Sequence, residues 1–247
     1  MFIQRCILAA AAAVMAAGMG AAEPPNAAAA LAQFAKANQT CFIVFYRDRN
    51  AAMADMFRAA TTAAEQLHGG AEVALVDVNN QVDSDVVARF GAGKASLPLA
   101  LTVAPNGAVL RAFSESATPK DLLDSVACKP EAALVKALQD GKIVVVSVQN
   151  GKSEGAAPAG KAVAAFLADK RLAGFAVAIA VDPADKAAAA FLSRLDVDAA
   201  GKAAVTLLLV PPGRIAGKYA GAVDVNQLSA DLAAAIAGTT CETDSPR

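Results

Sequence analysis

Tryptophan is absent from the 247-residue chain, histidine occurs once and cysteine four times. The cysteines, Cys6, Cys41, Cys128 and Cys241, lie far apart, so no Cys-x-x-Cys pair exists. A single histidine leaves no His/Cys set of the kind that holds zinc, and no metal is expected. His68, beside Gly69-Gly70, reads as a helix-end loop residue. The formal net charge is -1 and no long basic run occurs. Nucleic acid is therefore not an expected partner, because nothing would neutralise its phosphates. Gly91-Ala92-Gly93-Lys94 and Ala200-Gly201-Lys202 lack the spacing and the terminal Ser/Thr of a phosphate loop. No Gly-x-Ser-x-Gly and no Ser/His/Asp set is found. No cofactor is expected.

What is abundant is apolar. Hydrophobic residues make up 56% and charged residues 18%, which favours a packed core over disorder. The length suits one large domain or two of about 110 residues. The N-terminus has the form of an export signal. Arg5 supplies a positive charge, Cys6 to Met19 is an alanine-rich apolar run, and Gly20-Ala21-Ala22 offers small residues for cleavage. The run is shorter than the ~20 residues of a spanning helix. Residues 1–22 are thus expected to be a cleaved signal, and the mature protein to be exported, periplasmic or extracellular, with no membrane span. Three cysteines remain after cleavage, an odd number for a compartment that favours disulfides.

The remaining chain alternates strand and helix patterns. Asn26 to Asn38 has helical spacing, and Cys41 to Tyr46 (CFIVFY) reads as a strand buried on both faces. A helix is predicted over Ala51 to Leu67, a strand over Ala71 to Val78, and a short helix to Phe90 capped by Ser84. Two strands then flank Pro105-Asn106-Gly107 as a tight hairpin. Thr118 caps a helix over Pro119 to Ala127. The order then repeats. It runs as a helix over Glu131 to Gln139, a strand over Lys142 to Val148 and a loop over Asn150 to Gly160. A helix over Lys161 to Leu172 and a strand over Phe175 to Val181 follow. After these come a helix over Ala184 to Leu195, strands over Ala204 to Val210 and Arg214 to Ala220, and a last helix over Asn226 to Ala237. Asp77 matches Asp182, Arg89-Phe90 matches Arg194-Leu195, and Ala92 to Ala95 matches Ala200 to Ala203. Such matches argue for an internal repeat of about 105 residues.

These segments, with the stretch VARFGAGKASLPLALTVAPNGAVLRAF, resemble the thioredoxin-like fold family. The likeness covers Ala28 to Cys128 well and Lys142 to Cys241 more weakly. It implies an α/β protein of two tandem thioredoxin-like modules, each a mixed central sheet flanked by helices. Residues 26–129 would form the first module, 130–241 a degenerate second one, and 242–247 a disordered tail. Pro98 matches the family's cis proline; an ordinary trans proline opening a strand is the other reading that the residues allow. The family's paired thiols are missing. Asn50 and Met53 stand roughly where they would be, and Ala204 replaces the proline in the second copy. Thiol exchange needs a low-pKa thiolate, so both modules look non-catalytic. The resemblance places Cys41 and Cys128 at one end of the first sheet, either as a structural disulfide or as two buried thiols. Arg47, Asp48, Arg49, Asn50, Met53 and Pro98 form a candidate binding lip for an extended peptide or partner protein. Two alternatives stand beside it, a thiol-disulfide oxidoreductase using a non-standard cysteine and a structural envelope scaffold. Export predicts a mature N-terminus at Glu23. N-terminal mapping of the secreted or periplasmic protein checks it, and an intact Met1 there would refute cleavage.

Overall fold

The computed structural model describes residues 26–240. The expected signal, Cys6, Cys241 and the tail fall outside them. Strand β1 (Thr40–Tyr46) is buried along its whole length. Successive side chains of a strand point to opposite faces, so such a strand needs cover on both. Phe42 and Val44 pack with Met56 and Leu122, toward helices α2 (Ala51–Gln66) and α4 (Pro119–Asp124). Cys41, Ile43 and Phe45 pack with Ala27, Val86 and Val87, toward α1 (Ala27–Lys36) and α3 (Ser84–Arg89).

Strands β2 (Ala71–Asp77), β3 (Leu99–Val103) and β4 (Val109–Ser114) complete the first sheet, in the order β2-β1-β3-β4. The β1–β2 pair is parallel, and the β1–β3 and β3–β4 pairs are antiparallel. The second half repeats this arrangement. Its strands are β5 (Ile143–Val148), β6 (Ala176–Val181), β7 (Val205–Val210) and β8 (Arg214–Ala220), in the order β6-β5-β7-β8. Helices α6 (Ala156–Leu167), α7 (Ala189–Arg194) and α8 (Val225–Thr240) flank it. Even the irregularities recur. The β3–β4 ladder shifts register at Thr102/Val103 and the β7–β8 ladder at Leu208/Leu209. Beyond the ladders, Glu115 donates its N–H to Pro98 at 2.8 Å, and Gly221 donates to Ala204 at 2.7 Å. Each sheet has a core on each of its two faces. The chain is an α/β protein of two tandem thioredoxin-like modules.

Helix α5 (Lys129–Gln139) joins them without a linker. Ala132 packs with Ala104 and Ala108 of the first module, while Leu134 and Ala137 belong to the second module's core. Asn106 donates to the Ala132 carbonyl at 2.8 Å, and Gln139 makes two bonds to the Val109 backbone, at 2.7 and 3.1 Å. No helix of the described residues is long and apolar enough to cross a membrane.

Several element ends differ from the sequence expectation, each for a local reason. Helix α6 starts at Ala156, not Lys161, because Pro158 falls in its first turn, where a missing N–H costs nothing. Helix α4 stops at Asp124, short of Ala127. There the Ser125 hydroxyl lies 2.6 Å from both the Leu122 carbonyl and the Thr102 hydroxyl. Ser84 does not cap α3 but begins it, after a single 3-10 turn over Gln81–Asp83. The buried Asp83 carboxylate instead accepts the Ala27 N–H at 2.7 Å and the Asn80 amide at 3.2 Å. It thereby ties the start of α1 to this turn. Replacing it with Ala leaves a buried N–H without an acceptor, at a cost of about 1–3 kcal/mol. Asp83→Ala should lower the urea midpoint accordingly, and Asp83→Asn, which keeps an acceptor oxygen, should lower it less.

Candidate functional site

The candidate lip forms where β1 hands over to α2. The register pairs Phe45 with Leu99, which sets Pro98 beside the end of β1. The Leu97-Pro98 bond is cis, as the resemblance implied. Pro98 is buried and its carbonyl is taken by Glu115. Leu97, the residue before it, is different. Among the described residues neither its N–H nor its C=O finds a hydrogen-bond partner. Its side chain packs against the α1/α3 face of the core.

The two residues standing in for the thiol pair are tied to the helix start. Asn50 is the N-cap of α2, and its side-chain oxygen accepts the Met53 N–H at 3.0 Å. A carboxamide thus caps the helix at the first of the two positions, and a half-buried thioether fills the second. Neither can form or exchange a disulfide. Arg47 and Asp48 are exposed; the Arg47 carbonyl accepts the Asn79 amide at 3.4 Å, and the Asp48 carbonyl accepts the Asn50 N–H at 3.1 Å. Arg49 leans away from Pro98. Its guanidinium sits over the Tyr46 ring at 5.8 Å and lines a cavity of about 750 Å³ with Leu75, Asp77 and Val82. The candidate residues Arg47, Asp48, Asn50 and Met53 thus lie at the turn into α2, with Arg49 turned toward β2.

Both strand-end aspartates serve turns. Asp77 accepts the Asn79 N–H at 2.9 Å. Asp182 accepts the Ala184 N–H at 2.9 Å and the Asn150 amide at 3.1 Å, and these bonds hold its carboxyl below the usual range. His68 is exposed at the end of α2, and no metal-holding cluster is found among the described residues.

Of the two readings for Cys41 and Cys128, a disulfide or two thiols, the structure has free thiols. Strand parity explains it. Cys41 shares a face with Ile43 and Phe45, under α1 and α3, whereas Cys128 caps α5 and packs against the second module's core. Burial pushes the Cys41 thiol up to about 12, and a hydrogen bond with the Ala74 backbone only partly offsets it. Burial also raises the Cys128 thiol.

Sequence reading missed one constellation. In the second module the loop before α6 pairs with the segment entering β7. Glu154 and Ala203 form a parallel bridge, with Glu154 N–H donating to Lys202 at 2.8 Å and Ala204 N–H donating to Glu154 at 2.9 Å. A run of small and polar residues carries no hydropathy signal for such a contact.

Both modules have the thioredoxin-like fold. Comparison with solved structures returns proteins of that kind at low identity. The first two thioredoxin domains of Eps1p from Saccharomyces cerevisiae match 88% of this chain and 99% of their own, at 12% identity and a TM-score of 0.29. Human ERp44 matches 81% of this chain and 52% of its own, at 11% identity and a TM-score of 0.35. A chloroplastic thioredoxin z matches 46% of this chain and 92% of its own, at 14% identity and a TM-score of 0.33. Those scores are below 0.5, and the fold rests on the strand order and registers above. No family model and no curated protein matches the chain.

The raised thiol makes two linked predictions. Cys41 should resist alkylation at pH 8 in the native protein and react fully once unfolded, as peptide mapping would show. Its folded pKa lies above the ordinary 9.0, so the stability it contributes is complete below about pH 9 and lost as pH rises toward about 12. Cys41→Ser should flatten that alkaline loss.

Proposed function

We propose that this is an exported, non-catalytic thioredoxin-like protein whose first module holds an extended peptide or partner segment at the Leu97-Pro98 step. The observation that carries the reading is the unpaired Leu97 backbone. Backbone N–H and C=O groups are obligatory hydrogen-bonding groups. A donor and an acceptor left free at a strand entrance offer a main-chain partner the bonds of one more extended residue. Arg47, Asp48 and Asn50 are exposed just past the end of β1, whose register with β3 ends at Phe45 and Leu99, and Met53 would add an adaptable apolar contact.

The thiol-disulfide alternative would need Cys41, Cys128 or Cys241. The raised thiols of the first two weigh against it, because a thiolate is the nucleophile. Cys241 falls outside the described residues. The shared helix α5 favours a supporting role for the second module, the scaffold reading, alongside binding by the first.

A photo-crosslinker placed at Met53 in the exported protein tests the binding reading. Adducts are expected from Met53 and not from Ser193 on α7. Arg47→Asp, which reverses an exposed charge at the lip, should reduce them about tenfold, or roughly 1.4 kcal/mol in binding. Identical adducts from both positions, unaffected by Arg47→Asp, would rule out this surface. Retained disulfide reductase activity in Cys41→Ser/Cys128→Ser protein would point to Cys241.

A further inference from the structure

The two modules differ most at the end of the sheet where the first one is open. Asn50 is the N-cap of α2 and Gly155 the N-cap of α6, so Arg49 and Glu154 hold matching positions. Pro98 and Ala204 match as well, each accepting one N–H from beyond the last strand. In the first module Arg49 makes no backbone bond to Ser96, Leu97 or Pro98 among the described residues. In the second, Glu154 is bridged to Ala203 through both of its backbone groups. One of those bonds uses the Ala204 N–H, a donor that proline at position 98 lacks. The first module therefore cannot form this bridge, and its edge stays free.

The bridge is held by more than two hydrogen bonds. Gly155 has a φ of 76°, and a Cβ there would lie 2.7 Å from the Gly221 carbonyl carbon and 2.8 Å from the Ala222 nitrogen. The chain can run flush against the end of β8 only because residue 155 has no side chain. Asn150 fastens the other end of the loop. Its side chain accepts the Lys152 N–H at 2.9 Å and donates to Asp182 at 3.1 Å. Between these two anchors the chain turns at Gly151-Lys152 and bends at Ser153, and Glu154 alone is bridged to the β7 entrance. Beside it is a cavity of about 280 Å³ bordered by Ser153, Pro183, Gly201 and Lys202.

We propose that the second module carries its own peptide-accepting edge, at Lys202 to Ala204, which Glu154 occupies as an internal ligand. The chain then has one open and one latched site. The two edges offer different atoms: Leu97 N–H and C=O in the first, Lys202 C=O and Ala204 N–H in the second. The ligand class is a peptide of small and polar residues that presents one residue's N–H and C=O to the edge, as Glu154 does in place. The proposal extends the binding reading to a second site and is tested separately from it.

Hydrogen exchange and NMR on the full mature chain give the test. The probe is an acetylated, amidated peptide of residues 150–155, Asn-Gly-Lys-Ser-Glu-Gly. In the unaltered protein the Glu154 and Ala204 amides should be protected and the probe should leave Lys202 to Ala204 unshifted. Gly155→Ala should speed Ala204 exchange at least tenfold and let the probe shift Lys202 to Ala204. Glu154→Pro, which removes the donor to Lys202 at an exposed position, is the second release variant should Gly155→Ala fail to fold. Unchanged Ala204 exchange in a folded release variant overturns the latch. A released edge that the probe does not shift at millimolar concentration overturns the site. Shifts at Leu97 report on the open edge alone, so a failure there leaves the latched site standing and the converse holds too.

Discussion

Burial of β1 and β5 on both faces is the constraint from which the rest of the architecture follows. All seven residues of β1 are buried, and so are the last five of β5. A strand without a solvent face must be central and needs helices above and below it. That requirement places α1 and α3 on one side of the first sheet and α2 and α4 on the other. It also leaves the two ends of each sheet as the places where backbone groups can meet anything but their own ladder. The binding proposed for this protein is for that reason placed at strand ends and helix starts, and not on the sheet faces.

At one of those ends, a single atom separates the modules. An N–H is present at Ala204 and absent at Pro98. Where it is present, the neighbouring loop has closed onto the strand entrance; where it is absent, the Leu97 backbone is left unpaired. The paired thiols expected of the fold are replaced by Asn50, which caps α2, and Met53. The first module thus pairs a cis Leu97-Pro98 step with a helix start that carries no thiol at these two positions.

The parts that could be read from sequence were those with a local physical signature. CFIVFY announces a doubly covered strand, Asn106-Gly107 a tight turn, and Thr118 with Asp121 forms a capping box. The matches of Asp77 with Asp182, of Arg89-Phe90 with Arg194-Leu195 and of Ala92 to Ala95 with Ala200 to Ala203 made the tandem arrangement legible. The start of α6 was misplaced because Pro158 and its glycine neighbours read as loop, although proline is at home in a first helical turn. Of the two readings left open for Cys41 and Cys128, the structure has the free thiols. Position 41 alternates with 43 and 45, and that count alone turns its sulfur away from α4 and Cys128. The bridge at Glu154 was not legible at all, because two backbone bonds between polar segments leave no trace in side-chain pattern.

Helix α5 works as a key cut on two sides. Ala132 seats in the first module, and Leu134 and Ala137 seat in the second, so both modules read their orientation from one cylinder. Residues on an α-helix advance by about 100° each. A single residue inserted between these two sets of contacts would turn one module by about that angle relative to the other. The number of residues in α5, more than any flexible tether, fixes the direction in which the open edge faces relative to the closed one.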